Sequence, residues 1–244
     1  MAIAPAALQL TLRQRASWAA HVFKAVTQQH HAELRGLFAP VIPPDAVVLD
    51  VGAHAGQFSK LFASMAPFGH IYAFEPSAYA RSIMRPALRL NRIRNVTLLP
   101  VGLGDSPGGL ALHTPVKRSG SLGFGTAHLG QAAGAHLDQD IVVTTLDVFA
   151  AEIGLRRLDL IKADIEGWEL RALQGGEGVL RRFRPTLYLE VDDACLARAG
   201  STPAGLFDWL GALGYRAFTT PRLSATPCWA GSGDYLFVSD KPAP

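Results

Sequence analysis

Val47-Val-Leu-Asp-Val-Gly-Ala-His-Ala-Gly56 decides the fold. A short run rich in Val and Leu ends in a glycine-bearing turn and passes into a helical pattern. Strand, tight turn and helix in that order turn backbone N–H groups and a helix N-terminus toward a bound polar ligand. A second apolar run, Tyr72-Ala-Phe-Glu-Pro76, ends in Glu75, a carboxylate able to hold a ribose diol through two hydrogen bonds. The ordered pair predicts a nucleotide-type site at the mouth of a parallel sheet.

The other segments extend this pattern. Strands are expected at Val96–Val101, Asp159–Ala163 and Thr186–Val191, with a closing pair at Tyr215–Thr219 and Tyr235–Val238. Helices alternate with them: one from Gly56 or Gln57, a basic one ending near Leu90, then Leu146–Glu152 with Thr145 as N-cap. Further helices are expected over Trp168–Gln174, Gly178–Arg182 and Pro203–Leu213, the last closed by Gly214. Leu110–Val116 reads as a short extra strand and Ile141–Thr145 as strand-like, while 117–140 lacks a clear period and reads as an irregular insertion. Such loops often carry function. The fold class is therefore α/β, a Rossmann-like doubly wound sheet with helices on both faces. Residues 1–40 form a helical extension that either covers the site or caps the sheet, and 41–244 form the domain proper.

At 244 residues, 49% hydrophobic and 18% charged, the chain has the makings of one large folded domain. Its net charge of +3 does not by itself mean a nucleic-acid surface. Arg81, Arg85, Arg89, Arg92 and Arg94 follow helical spacing, without interleaved aromatics, and read as a solvated helix face, with a surface for an anionic substrate or nucleic acid as the alternative. Cys195 and Cys228 lack metal-ligand spacing and read as reduced structural residues. No run is long enough to span a membrane, and the N-terminus lacks a positive region before its apolar residues. A cytoplasmic location, with no membrane span and no nucleic-acid partner, is the expectation.

Ligands of an open parallel sheet bind outside the carboxyl ends of its strands. The residues to watch are thus Asp50, Gly52 and Gly56 after the first strand, Glu75 after the second, Asp164 and Glu166 after the fourth, and Glu190, Asp192 and Asp193 at the fifth. Asp164 and Asp192 have helix capping as an alternative role. Glu75 precedes a proline, which holds it extended and away from a cap.

These segments also carry a resemblance. Leu49-Asp-Val-Gly-Ala-His-Ala-Gly-Gln-Phe-Ser59, Ala73-Phe-Glu-Pro76, Thr144-Thr-Leu-Asp147 and Leu160-Ile-Lys-Ala-Asp-Ile-Glu-Gly-Trp-Glu-Leu170 resemble the FkbM-type methyltransferases, in the family's order, across about Val47 to Val191. The stretch from Lys162 is the specific one, similar to the family's Lys-x-Asp-x-Glu-Gly-x-Glu motif. Two positions depart: His54 stands where Asn is frequent, and Trp168 where a small residue is usual. The resemblance implies a class I, seven-stranded fold and S-adenosylmethionine as cofactor. It implies that Gly52, Ala53, His54 and Gly56 form the turn against the methionine part, and that Asp50 anchors the amino end. It further implies that Glu75, followed by Pro76, takes the ribose hydroxyls, and that Gly102 and Asp105 lie by the adenine. Asp164, with Glu166, would stand nearest the chemistry.

Electrostatics agrees with that cofactor. A carboxylate-rich rim stabilises a sulfonium, whereas the pyrophosphate of a dinucleotide would be repelled by it. The glycine spacing also departs from Gly-x-Gly-x-x-Gly. An NAD-dependent oxidoreductase is the weaker enzyme reading, and a methyltransferase-like module without catalysis is a further alternative. An alcohol acceptor needs its proton removed; Asp164, Glu166, His113, His128 and His136 are the candidate bases. Asp164, Glu166 and Glu190 could in principle hold Mg²⁺, but two carboxylates so close along one segment need not converge, so no metal is expected to be required. The acceptor class implied is a hydroxyl on a sugar, glycan or secondary metabolite. Trp168 and the insertion are the expected places for selectivity, and oligomeric state stays open.

Overall fold

The computed structural model describes residues 11–115 and 136–239. In chain order the strands are β1 (Val47–Val51), β2 (His70–Phe74), β3 (Val96–Leu99), β4 (Gly102–Leu103), β5 (Gly108–Pro115), β6 (His136–Thr144), β7 (Leu160–Ala163), β8 (Thr186–Val191), β9 (Tyr215–Thr219), β10 (Ser224–Thr226) and β11 (Gly233–Ser239). Among the described residues the helices are α1 (Leu12–Thr27), α2 (Arg35–Phe38), α3 (Gln57–Met65), α4 (Ala78–Leu90), α5 (Leu146–Glu152), α6 (Glu169–Gln174), α7 (Glu177–Phe183), α8 (Asp193–Arg198) and α9 (Pro203–Ala212), with a 3₁₀ turn at Ala32–Leu34.

The main sheet runs β10-β9-β11-β8-β7-β1-β2-β3. Strands β3, β2, β1, β7 and β8 are mutually parallel, and β11 enters antiparallel between β8 and β9. The sheet has eight strands, one more than expected. The extra strand, β10, folds back on β9 in an antiparallel pair. It is three residues long and mostly polar, so the sequence carries no strong alternation to mark it.

Burial on both faces explains the near-continuous apolar strands. Val48, Ile71 and Leu160 face a layer with Phe38, Leu61 and Phe62. Leu49, Val51 and Ile161 face the opposite layer, with Leu146, Phe149, Leu180 and Leu206. Helix α1 packs on α4 through Trp18, Val22 and Ala25 against Tyr79, Ile83 and Ala87.

Local capping set several boundaries as read. Thr145 accepts from the Val148 N–H at the start of α5, and Gly214, at φ +83°, follows α9. Two departures matter. A short helix, α8, not expected from the pattern, follows β8, and Asp192 takes its alternative role as the cap, accepting from Cys195 N–H at 2.9 Å. Residues 136–140, expected to be irregular, belong to β6, which pairs along its length with β5 and on its other side with β4. This three-stranded sheet stands apart from the main one, and its cross-strand pairing makes a strand of a stretch with weak alternation. The remainder of the insertion, with His128, lies outside the described residues. Among the described residues no helix is long and apolar enough to cross a membrane.

Candidate functional site

Chain order reverses between β1 and β7: β2 and β3 follow β1 on one side, β7 and β8 lie on the other. A cavity of about 330 Å³ opens at the carboxyl ends of these strands, at the low end of the size usual for small-molecule sites. Gly52, Ala53, His54, Glu75, Pro76, Gly102, Asp164 and Glu166 all contribute to its lining. Gly56 and Asp50 stand behind it, and Asp105 does not reach it.

On the β1–β2 side the chain builds a clamp around Glu75. The N–H groups of Gly52 and Ala53 both donate to the Phe74 carbonyl at 3.0 Å, which folds the turn after β1 over the end of β2. His54, at φ +51°, then aims its N–H at Glu75 Oε2, 2.7 Å away. Ser77 N–H donates to the other oxygen at 2.8 Å. Burial raises the Glu75 pKa, and these two N–H groups oppose the rise. Arg81 leaves the exposed arginine row and turns inward. Its Nη1 donates to the carbonyls of Glu75 at 2.8 Å and Pro76 at 2.5 Å, so the solvated-face reading holds for Arg85, Arg89, Arg92 and Arg94 but not for Arg81. His54 stays neutral, its pKa brought down to about 4 by burial and by nearby Lys162.

Both glycines of the turn answer first to protein neighbours. A Cβ on Gly52, at φ +76°, would stand 2.0 Å from the Asp164 carbonyl oxygen, and one on Gly56, at φ +82°, 2.8 Å from Met84 Cγ. Close approach of β1 to the loop after β7 is therefore what Gly52 permits.

Beneath the turn lies a buried ion pair. Asp50 and Lys162 are register partners on neighbouring parallel strands and both are buried. Asp50 Oδ2 accepts from Ser59 Oγ at 2.5 Å, and its Oδ1 lies 3.5 Å from Lys162 Nζ. The ammonium also donates to the Gly52 carbonyl at 2.9 Å and approaches Asp164 Oδ2 at 3.7 Å. Burial disfavours the charge, but Asp164 and Asp50 outweigh it and the Lys162 pKa is raised. Asp50 thus supports the loop from below and does not face the cavity.

The far wall is acidic. Asp164 and Glu190 are hydrogen-bonded to each other. Glu190 is pushed up to about 8 by burial and by the charge of Asp164. Asp164 moves the other way: burial works against its charge, and Lys162 together with the Glu190 hydrogen bond overcomes it. One proton is shared in this pair, resting on Glu190. Asp234 is the register partner of Glu190 on β11 and accepts from the Tyr188 hydroxyl at 2.8 Å. Asp164 is not a helix cap, since α6 begins only at Glu169 and has Trp168 at its N-cap position.

The turn between β7 and α6 is held by its own motif. Glu169, buried and raised to about 7 by desolvation, accepts from Ile165 N–H at 2.8 Å and Gly167 N–H at 3.3 Å. Gly167, at φ +102°, has the Cys195 carbonyl where a Cβ would sit, 2.0 Å away. Glu166 lines the cavity and meets Arg198 at 3.3 Å, with Cys195 Sγ donating to it at 3.5 Å. Asp105 is exposed and pairs with Arg171 at 2.9 Å.

The remaining walls come from distant segments. His31, in a left-handed conformation before the 3₁₀ turn, stacks on Phe58 with ring centroids 4.2 Å apart, and both line the cavity. The N-terminal segment therefore does two things: it reaches the site through His31 and seals the sheet through Phe38. Opposite, Leu112 of β5 and Leu103 of β4 join Trp168, whose indole Nε1 is buried without a hydrogen-bond partner among the described residues. Sequence reasoning missed His31, Phe58, Tyr188 and Asp234 as site residues. A lysine inside the apolar run of β7 was a visible signal for Lys162; nothing along the chain marked the other four.

Comparison with known proteins bears on this arrangement. A family model, the methyltransferase FkbM domain, matches residues 50–217. The 2-O-methyltransferase NoeI of Sinorhizobium fredii is 31% identical over 62% of this chain and 65% of its own length. The AMB antimetabolite synthetase AmbE of Pseudomonas aeruginosa is 34% identical over 70% of this chain, but only 9% of AmbE is covered. The chain thus spans just under two thirds of the one relative and a small part of the other. Among solved structures, cofactor-bound Rv0187 from MTB superposes with a TM-score of 0.51 at 13% identity, covering 95% of this chain and 92% of that one. That likeness is one of fold.

Proposed function

This chain belongs to the methyltransferase FkbM family, and from that premise we propose that it methylates a hydroxyl on a sugar, glycan or secondary metabolite with S-adenosylmethionine as donor. The observation that carries the reading is the division of the cavity. A carboxylate clamped by two backbone N–H groups faces a proton-sharing carboxyl pair, and the lining lysine is already bound to backbone carbonyls and to Asp50.

The donor set fits this cofactor. With His54 neutral and Lys162 neutralised by its neighbours, the rim is acidic, which favours a sulfonium over a pyrophosphate. S-adenosylmethionine, when bound, supplies a methyl group on a positively charged sulfur. Glu75, with Pro76 holding the chain extended, would take the ribose hydroxyls; the two N–H bonds leave lone pairs on its oxygens for them. Gly52, Ala53 and His54 would line the methionine part, Gly102 the base, and Trp168 Nε1 is a donor open to either ligand. The printed name of NoeI supports oxygen as the accepting atom.

For the acceptor, this chain's own residues must orient a hydroxyl and remove its proton. Asp164 is the base in this reading. It is ionised, half-exposed at the cavity and flanked by Lys162, while Glu190 holds the neighbouring proton. Glu166 positions the turn through Arg198. These carboxylates have proton-holding and hydrogen-bonding roles, and the reaction so written requires no metal.

A thermal-shift titration tests the reading. At a hundredfold excess over Kd, S-adenosylhomocysteine should add about 2.7 kcal/mol to stability, while NAD should add none. A shift with NAD alone would favour the oxidoreductase. A shift with neither at millimolar ligand would favour the non-catalytic module.

A further inference from the structure

We infer that His113, His136 and Asp138 form a binding site for a divalent transition metal such as Zn²⁺, on the outer face of the β5–β6 hairpin. The inference is independent of the methyl-transfer reading.

The placement follows from strand geometry. His113 on β5 and Asp138 on β6 are direct cross-strand partners. His136 lies two residues before Asp138 on the same strand, so the alternation of side chains puts all three on one face. Leu112 and Thr114, the neighbours of His113 along β5, are buried on the opposite face. The donor atoms converge accordingly. His113 Nδ1 stands 2.6 Å from Asp138 Oδ1, His136 Nε2 stands 3.4 Å from the same oxygen, and one donor atom from each of the three residues lies within 4.8 Å of the others. A tetrahedral zinc with bonds of about 2.0–2.2 Å sets its ligands roughly 3.3 Å apart. Small side-chain rotations bring the observed set to that spacing. Among the described residues this is the one group of three nitrogen, sulfur or carboxylate donors so close together.

The chemistry is also apt. Two imidazoles and one carboxylate form a borderline ligand set that suits zinc better than hard cations, which prefer oxygen alone. In the metal-free protein the His113–Asp138 hydrogen bond holds two of the ligands in place. Metal binding replaces the bridging proton, which passes to solvent, so uptake is weaker at low pH. Asp138 is 59% exposed on its side chain, which leaves the fourth coordination position to water.

The hairpin gives the site a consequence. On its other face Leu112 lines the cavity. Gln139 ties β6 to the rim there: its Nε2 donates to the Pro76 carbonyl at 2.9 Å, and its Oε1 accepts from Ala78 N–H at 3.0 Å. A metal joining β5 to β6 would stiffen the wall of the cavity without entering it.

Isothermal titration of untagged, chelator-treated protein with ZnCl₂ tests this directly, in a Cys228→Ser background to remove the exposed thiol. One equivalent should bind saturably. His113→Ala and His136→Ala should each weaken binding at least as much as losing an outer-shell partner does, roughly tenfold or more. Asp138→Asn, which keeps the shape of the hairpin, should weaken it too. Cobalt in place of zinc should give visible absorption bands without a thiolate charge-transfer band. Absent saturable binding, or affinity equal to that of the parent in both histidine variants, would overturn the assignment; so would a cobalt–thiolate band.

Discussion

Glu75 and Glu190 line the same cavity, and burial lifts the pKa of both, yet their surroundings treat the charge in opposite ways. Glu75 receives two backbone N–H bonds from His54 and Ser77, which favour its ionised form. Glu190 faces Asp164 and, across the strand pair, Asp234, so its proton stays on up to about pH 8. The first carboxylate is prepared as an acceptor for a neutral diol. The second is prepared to keep a proton beside a carboxylate that has none. Two glutamates on one rim thus serve a binding half and a chemical half, and what separates them is whether backbone donors or other carboxylates stand opposite.

The largest test of this division is Asp164→Asn. Removing the proposed base should lower turnover by about 10²–10⁴-fold, with a much smaller change in S-adenosylhomocysteine affinity by titration calorimetry. Equal losses in both would place Asp164 in the binding half and erase the contrast.

Glu75→Ala should do the converse. Affinity for S-adenosylhomocysteine should fall by about 1–3 kcal/mol, accompanied by a loss of stability because two buried N–H groups lose their acceptor. Glu75→Gln keeps an acceptor oxygen and should lose less of both. Unchanged affinity in the alanine variant would remove the ribose assignment.

The smallest effect expected is also the most specific. The folded-state pKa of Glu190 is raised to about 8, well above an ordinary glutamate. Between the two values the native state holds a proton that the unfolded chain releases. The stability this brings is complete below the unfolded pKa and is lost as pH rises through about 8. Glu190→Gln, which cannot ionise, should therefore flatten the fall in thermal stability across that window. The gain over wild type should be on the order of 1 kcal/mol at its upper end, since the pair is partly solvated. Parallel pH profiles for variant and wild type would show that Glu190 is ionised throughout and that the two halves are electrostatically alike.

Legibility along the chain differed between the halves for a physical reason. The β1 turn and Glu75 belong to consecutive strands, and their contacts are set by one strand–turn–helix unit and the next strand. Asp164, Glu166 and Glu169 share one short turn, so that a functional cluster was legible there, although the partners were not: Glu166 found Arg198, and Glu169, quoted in the motif without a role, accepts the N–H groups of Ile165 and Gly167. Asp105 reads as a rim residue by position and is drawn outward by Arg171.

What the residues by themselves determined is the alternation of apolar strands with capped helices, the glycine turn, and a rim of carboxylates at the ends of β2, β7 and β8. Those depend on hydrophobic periodicity and on local φ and capping preferences, which act over a few residues. Only the tertiary structure decided that β11 runs antiparallel beside β8 and delivers Asp234 opposite Glu190. It alone brought His31 onto Phe58 and paired Lys162 with Asp50 beneath the turn. Register between strands far apart in sequence is set by the packing of whole faces, and no local pattern encodes which side chain will meet which.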